Sequence, residues 1–135
     1  MEKIINNTFM KYILFAVIII SILSCSSERT CKDLKEGTFT YTHPEHFHIR
    51  IIRERNKQIE INEETKIEAH TEVTWLNDCE YQLVYKEFKN APEEFDVLLG
   101  DTILAKIIKI HGNKYTCSVR SGESQEKMDF KILNE

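Results

Sequence analysis

The chain lacks a glycine-rich loop, a basic excess and an apolar run of bilayer-spanning length, and each absence counts against a class of function. Four glycines among 135 residues form no phosphate cradle, and Ser121-Gly-Glu-Ser124 lacks the spacing of a nucleophile elbow. The neighbouring acids Glu63-Glu64 and Glu93-Glu94 tend to diverge along the backbone and read as solvated turns; the remaining acids are scattered over strand surfaces. Lys and Arg number 18 against 22 Asp and Glu, a net charge of −4. A general affinity for phosphate backbones needs a basic face, so nucleic acid is excluded as a partner. Arg50, Arg53 and Arg55 are interspersed with acids and read as solvated surface. No repeat, low-complexity tract or dividing linker is present, and nothing implies a cofactor.

What is present begins with an export signal. Lys3 and Lys11 precede the apolar run Tyr12–Leu23, and the small residue Ser24 follows it, the charged, apolar and cleavage-site order of a secretory leader. The run is well short of the roughly 20 residues that cross a bilayer core, so removal of residues 1–24 is expected. Ile22-Leu23-Ser24-Cys25 also resembles a bacterial lipobox. A thiol is required there because diacylglycerol is attached as a thioether before cleavage, and the new amino group of Cys25 can then be acylated. Two or three chains anchor firmly, since each buried methylene contributes roughly 0.8 kcal/mol. Secretion with Cys25 free is the alternative. No Asp follows Cys25 to favour inner-membrane retention, which points to the outer membrane of a Gram-negative envelope.

Loss of the leader removes two basic residues and one acidic residue, taking the net charge from −4 to −5. Residues 25–135 suffice for one compact domain: an anchor and tether over 25–36, then a single β domain over 37–135. Short alternating or β-branched segments predict strands over Thr38–Thr42, Phe47–Glu54, Gln58–Asn62, Lys66–Leu76, Glu80–Phe88, Thr102–Ile110, Tyr115–Arg120 and Lys127–Leu133. Pro92–Leu99 suits a helical turn or two, and His111-Gly-Asn-Lys114 supplies a tight hairpin. The expected fold is all-β, an antiparallel meander of about eight strands forming a closed or partly open lipocalin-like barrel. A two-sheet sandwich is the alternative.

Alternation assigns an inner face of Phe39, Tyr41, Phe47, Ile49, Ile51, Ile59, Ile61, Ile67, Ala69, Val73, Trp75, Tyr81, Leu83, Tyr85, Tyr115, Cys117, Val119, Met128, Phe130 and Ile132. Thr102–Ile110 is apolar on both faces, as a central, bulged or interface strand would be. An eight-stranded barrel is either filled by side chains or just wide enough for one small ligand. Tyr41, Trp75, Tyr81, Tyr85 and Tyr115 therefore form either a packed core or an aromatic-lined pocket for a small apolar ligand.

Three further cysteines allow one disulfide in an exported chain. In an up-and-down meander, odd-numbered strands begin at one end. Cys31 precedes the first strand and Cys79 begins the fifth, so these two pair, leaving Cys117 inside the seventh strand as a small core residue. Pairing with Cys117 instead would imply a different strand order. The other candidate chemistry is Thr42-His-Pro-Glu-His-Phe-His48. His43, His46 and His48 can bind zinc or copper, although Pro44 makes a turn and Arg50 would share a face with His46 and His48. An exposed polar hairpin is the alternative.

Cys31-Lys-Asp-Leu-Lys-Glu-Gly37-Thr-Phe39, Trp75-Leu-Asn-Asp-Cys79-Glu-Tyr81 and Tyr115-Thr-Cys117 together resemble a group of short lipoproteins of Gram-negative bacteria. The similarity covers nearly the whole mature chain and rests on cysteines, turns and aromatics, with no catalytic signature. Members sometimes carry a topoisomerase IV label, but a short, acidic, exported chain without a recognisable DNA-cleaving tyrosine in basic surroundings contradicts that activity. The expected function is a non-enzymatic, lipid-anchored envelope protein. It would bind a partner protein or small ligand and touch the membrane through acyl chains on Cys25. A metal-handling protein or enzyme using the histidine hairpin is the alternative.

Overall fold

A computed structural model describes residues 28–133. The leader 1–24 and the lipidation residue Cys25 lie outside the described residues. Eight strands follow one another: β1 (Gly37–Tyr41), β2 (Ile49–Glu54), β3 (Lys57–Asn62), β4 (Glu68–Trp75), β5 (Glu80–Lys89), β6 (Thr102–His111), β7 (Lys114–Ser121) and β8 (Ser124–Leu133). Each is antiparallel to its neighbour in sequence, and β8 pairs back onto β1 from Thr38↔Leu133 to Tyr41↔Phe130. That seam closes the sheet into a barrel, the first of the two expected architectures.

Local chemistry explains the short connections. At Gly112 and Gly122 the backbone φ is +59° and +58°, a region open to glycine without steric cost. Each residue is the first centre of a two-residue hairpin, after His111 and after Ser121. Bulges interrupt two strand pairs, between His70 and Thr71 where β4 meets β5, and between Ile107 and Lys109 where β6 meets β7. The second resolves the doubly apolar segment: Ile107 stays buried, the extra residue Ile108 turns outward, and Ile110 returns to the core side. Glu93–Leu98 forms the short 3-10 turn expected before Gly100.

Strand alternation puts the loops after β1, β3, β5 and β7 at one rim, here called the upper. The loops after β2, β4 and β6 and the segment leading into β1 lie at the lower rim. A 3-10 turn, Cys31–Leu34, crosses the lower opening and inserts Leu34, which has no exposed surface. Above it, Phe39, Ile51, Val73, Tyr81, Leu83, Ala105, Ile107, Tyr115, Cys117 and Phe130 fill the interior.

Three inner-face expectations and one surface expectation are corrected. Phe47 is 66% exposed because the chain turns through 43–48 and β2 starts only at Ile49. Arg53 is not surface but 2% exposed, since it follows Ile49 and Ile51 on the inward side of β2. On β3 the inward residues are Gln58 and Glu60, which lie opposite Arg53 and Ile51. Ile59 and Ile61 therefore occupy the outer side, because neighbouring residues of a strand point to opposite faces.

Candidate functional site

At the lower rim, Cys31 and Cys79 form a disulfide across 48 positions of sequence. Asp78 reinforces it by accepting from Lys35 Nζ at 2.9 Å, with Lys32 Nζ at 3.6 Å. The Lys35 hydrogen bond holds the Asp78 carboxyl below its usual range. Cys117 remains a free, buried thiol, and burial pushes it up to about 11. It is thus protonated at neutral pH and a poor nucleophile.

Inside the barrel an arginine sits among aromatic rings. Arg53 Nε donates to Gln58 Oε1 at 2.7 Å, Nη1 to the Leu34 carbonyl at 3.0 Å and Nη2 to the Tyr81 hydroxyl at 2.9 Å. Its guanidinium lies 4.9 Å from the Phe39 ring centre and 4.5 Å from that of Tyr81, within cation–π range. Gln58 passes the connection on, its Nε2 donating to Glu60 Oε1 at 2.8 Å, while the Tyr41 hydroxyl donates to Glu60 Oε2 at 3.0 Å. Guanidinium, amide, carboxylate and phenol thus form one hydrogen-bonded chain through the interior. The buried Tyr115 hydroxyl lies beside the Arg53 guanidinium and interacts with it, although that contact falls short of ordinary hydrogen-bond geometry.

Burial raises the Glu60 carboxyl above its ordinary value of 4.5, and the hydrogen bonds from Tyr41 and Gln58 and the charge of Arg53 oppose that rise only in part. The folded chain therefore holds this proton more tightly than the unfolded chain. Just above the ordinary value the folded state binds more protons, so this group's contribution to stability falls as pH rises. Tm measured from about pH 4 to about pH 8 should show this downward component in the native chain and not in Glu60→Gln. Parallel curves for the two proteins would show that Glu60 does not titrate in this way.

The five candidate pocket aromatics each pack against a neighbouring ring. Tyr41 packs on Phe130 at 4.9 Å, Tyr115 stacks on Phe130 at 4.9 Å, and Trp75 lies 4.7 Å from Tyr81. Tyr85 stacks with Phe88 at 5.2 Å. Tyr41, Trp75, Tyr81 and Tyr115 border four separate surface clefts. The rings contribute packing area to the barrel wall and interior.

At the upper rim the histidine segment is a pair of tight turns. The His46 amide donates to the His43 carbonyl at 2.9 Å, and the Ile49 amide to the His46 carbonyl at 3.0 Å. Pro44 occupies the second position of the first turn, where its fixed φ suits the bend. His43, Glu45 and His46 each offer a ligand atom within 4.8 Å of the others, and all three are exposed. His48 is not in this group; its ring lies 5.8 Å from Phe47. Arg50, expected beside the histidines, instead pairs with Glu63 at 2.7 Å. His70 on β4 meets Glu68 at 2.6 Å. Glu45 is not legible as a ligand in the sequence, because an acid in a turn gives no signal of its own.

Compared with known proteins, the chain matches no family model, no curated protein and no solved structure.

Proposed function

We propose that this chain is a lipid-anchored protein of the Gram-negative cell envelope, held at the outer membrane, whose barrel is a non-enzymatic interaction module. The observation that carries this reading is the Cys31–Cys79 bond, which ties the start of the domain to the lower rim. Acyl chains on Cys25 would hold that rim within about 20 Å of the bilayer, the reach of the segment 26–30 and its flanking bonds. The upper rim would face away. Its loops carry exposed apolar side chains, Phe47 before β2 and Val97, Leu98 and Leu99 before β6, with Val97 79% exposed. Exposed apolar groups of this kind suit contact with a partner protein, whereas the packed interior disfavours a ligand carried inside. The described residues include no helix long and apolar enough to cross a membrane.

Intact mass of protein purified from its own membrane, with and without reduction, tests the anchor. A mass equal to residues 25–135 plus acyl chains, with a gain of two hydrogens on reduction, is expected. A chain retaining residues 1–24, or one without acyl groups, overturns it. For the interaction, a photo-crosslinker at Val97 should capture a discrete partner in intact cells and one at Asn56, in the lower β2–β3 loop, should not. Equal capture at both positions would remove the upper rim from the proposal.

A further inference from the structure

We propose that His43, Glu45 and His46 form a binding site for a borderline divalent transition-metal ion such as zinc. The site is independent of the anchor and of the partner-binding role above. Two imidazoles and a carboxylate are the three-ligand set with which proteins hold zinc while leaving a coordination position open. Magnesium and calcium prefer all-oxygen surroundings, so nitrogen ligands select against them. The expected metal class is therefore zinc, copper(II) or nickel.

Geometry supports the assignment more than composition does. His43 and His46 are the first and fourth residues of one turn closed by a 2.9 Å backbone hydrogen bond, which brings their α-carbons within about 7 Å. Pro44 restricts that turn before any ion arrives. The loop is also held from outside: the Thr42 amide donates to the Asp129 carbonyl at 3.0 Å, and the Glu63 amide to the His48 carbonyl at 2.9 Å. The Thr40 hydroxyl reaches the Phe47 carbonyl at 3.0 Å and that of Ile49 at 2.8 Å. Ligation thus orders side chains on a backbone already fixed, which lowers the entropic cost of binding. The Glu45 amide approaches His43 Nδ1 at 3.3 Å, a long contact that a metal bond can replace.

The surroundings leave access for the ion. His43, Glu45 and His46 border a cleft of about 290 Å³ with Glu126, Lys127 and Asp129. The two acids offset the lysine, and Arg50 is occupied by Glu63. With three protein ligands, the remaining position opens to solvent, where water or a donor group on a partner can complete the coordination.

The test is zinc titration by calorimetry of the full chain, purified without a polyhistidine tag. One equivalent should bind at neutral pH. Substitution by His43→Asn, His46→Asn or Glu45→Gln should weaken it by at least the 10- to 100-fold that loss of an outer-shell partner costs. Because these side chains are exposed, circular dichroism and Tm without metal should stay unchanged. His48→Asn and His111→Asn should bind as the parent does. Pro44→Ala keeps every donor and should weaken binding about two- to fivefold by loosening the turn. Absence of stoichiometric binding, or equal loss on replacing His48 or His111, overturns the proposal.

Discussion

Replacing Arg53 with alanine is expected to destabilise the barrel by about 3–5 kcal/mol, the cost of breaking a buried charged network at one member. For a domain of this size that lowers Tm by more than about 10 °C. The reason lies in what remains. Gln58 Oε1, the Leu34 carbonyl and the Tyr81 hydroxyl each lose a donor, and the ionised form of Glu60 loses the positive charge that partly stabilises it. A volume left between Phe39 and Tyr81 adds a cavity term. Removing both groups together should cost less: Arg53→Met with Glu60→Leu should recover a large part of the loss, since apolar packing often replaces a buried ionisable network without penalty. Denaturant unfolding of the three proteins measures this. A loss under about 1 kcal/mol for the single alanine variant, the level of an exposed pair, would mean that the guanidinium is solvated.

Opening the Cys31–Cys79 bond should cost about 4 kcal/mol in the chain-entropy treatment of a loop of this length. Urea midpoints with and without reductant, and for Cys31→Ser with Cys79→Ser, give the value. Reduction should also loosen the turn that delivers the Leu34 carbonyl to Arg53. The two losses share one structural element, so Arg53→Ala combined with reduction should cost less than their sum, as coupled neighbours do. Strict additivity would separate the lower plug from the interior network. No change in midpoint on reduction would show that Leu34 and its contacts hold the plug unaided.

Much of this architecture is legible in the residues themselves. Alternation or β-branched composition marks all eight strands, and Gly112 reports a hairpin. Strand parity alone brings Cys31 and Cys79 to one rim and leaves Cys117 in the wall. The failures share a cause. Ile59 and Ile61 read as core because apolar residues are assumed to define the inside, yet register takes precedence: the two-residue turn Arg55-Asn56 sets Gln58 opposite Arg53. The same parity that makes Ile49 and Ile51 inward makes Arg53 inward too, a signal outweighed by its charge. Glu45 carries no periodic mark, and only the turn around Pro44 brings it to the imidazoles. Apolarity alone places Phe47 in β2, although the neighbouring Pro44 turn already takes up the chain there.

The seam between β1 and β8 has a consequence for how the molecule comes into being. Thr38 near the start of the described chain pairs with Leu133 at its end, so a polypeptide emerging amino terminus first cannot close its barrel until the final strand arrives. Until then β1 is an unpaired edge able to recruit other extended chains. The disulfide needs only the part up to Cys79, so the lower rim can be tied off while the opposite strands are still being delivered. Closure by such distant segments is inherently slow. The interval before it is the stage at which this chain is most exposed to misassembly.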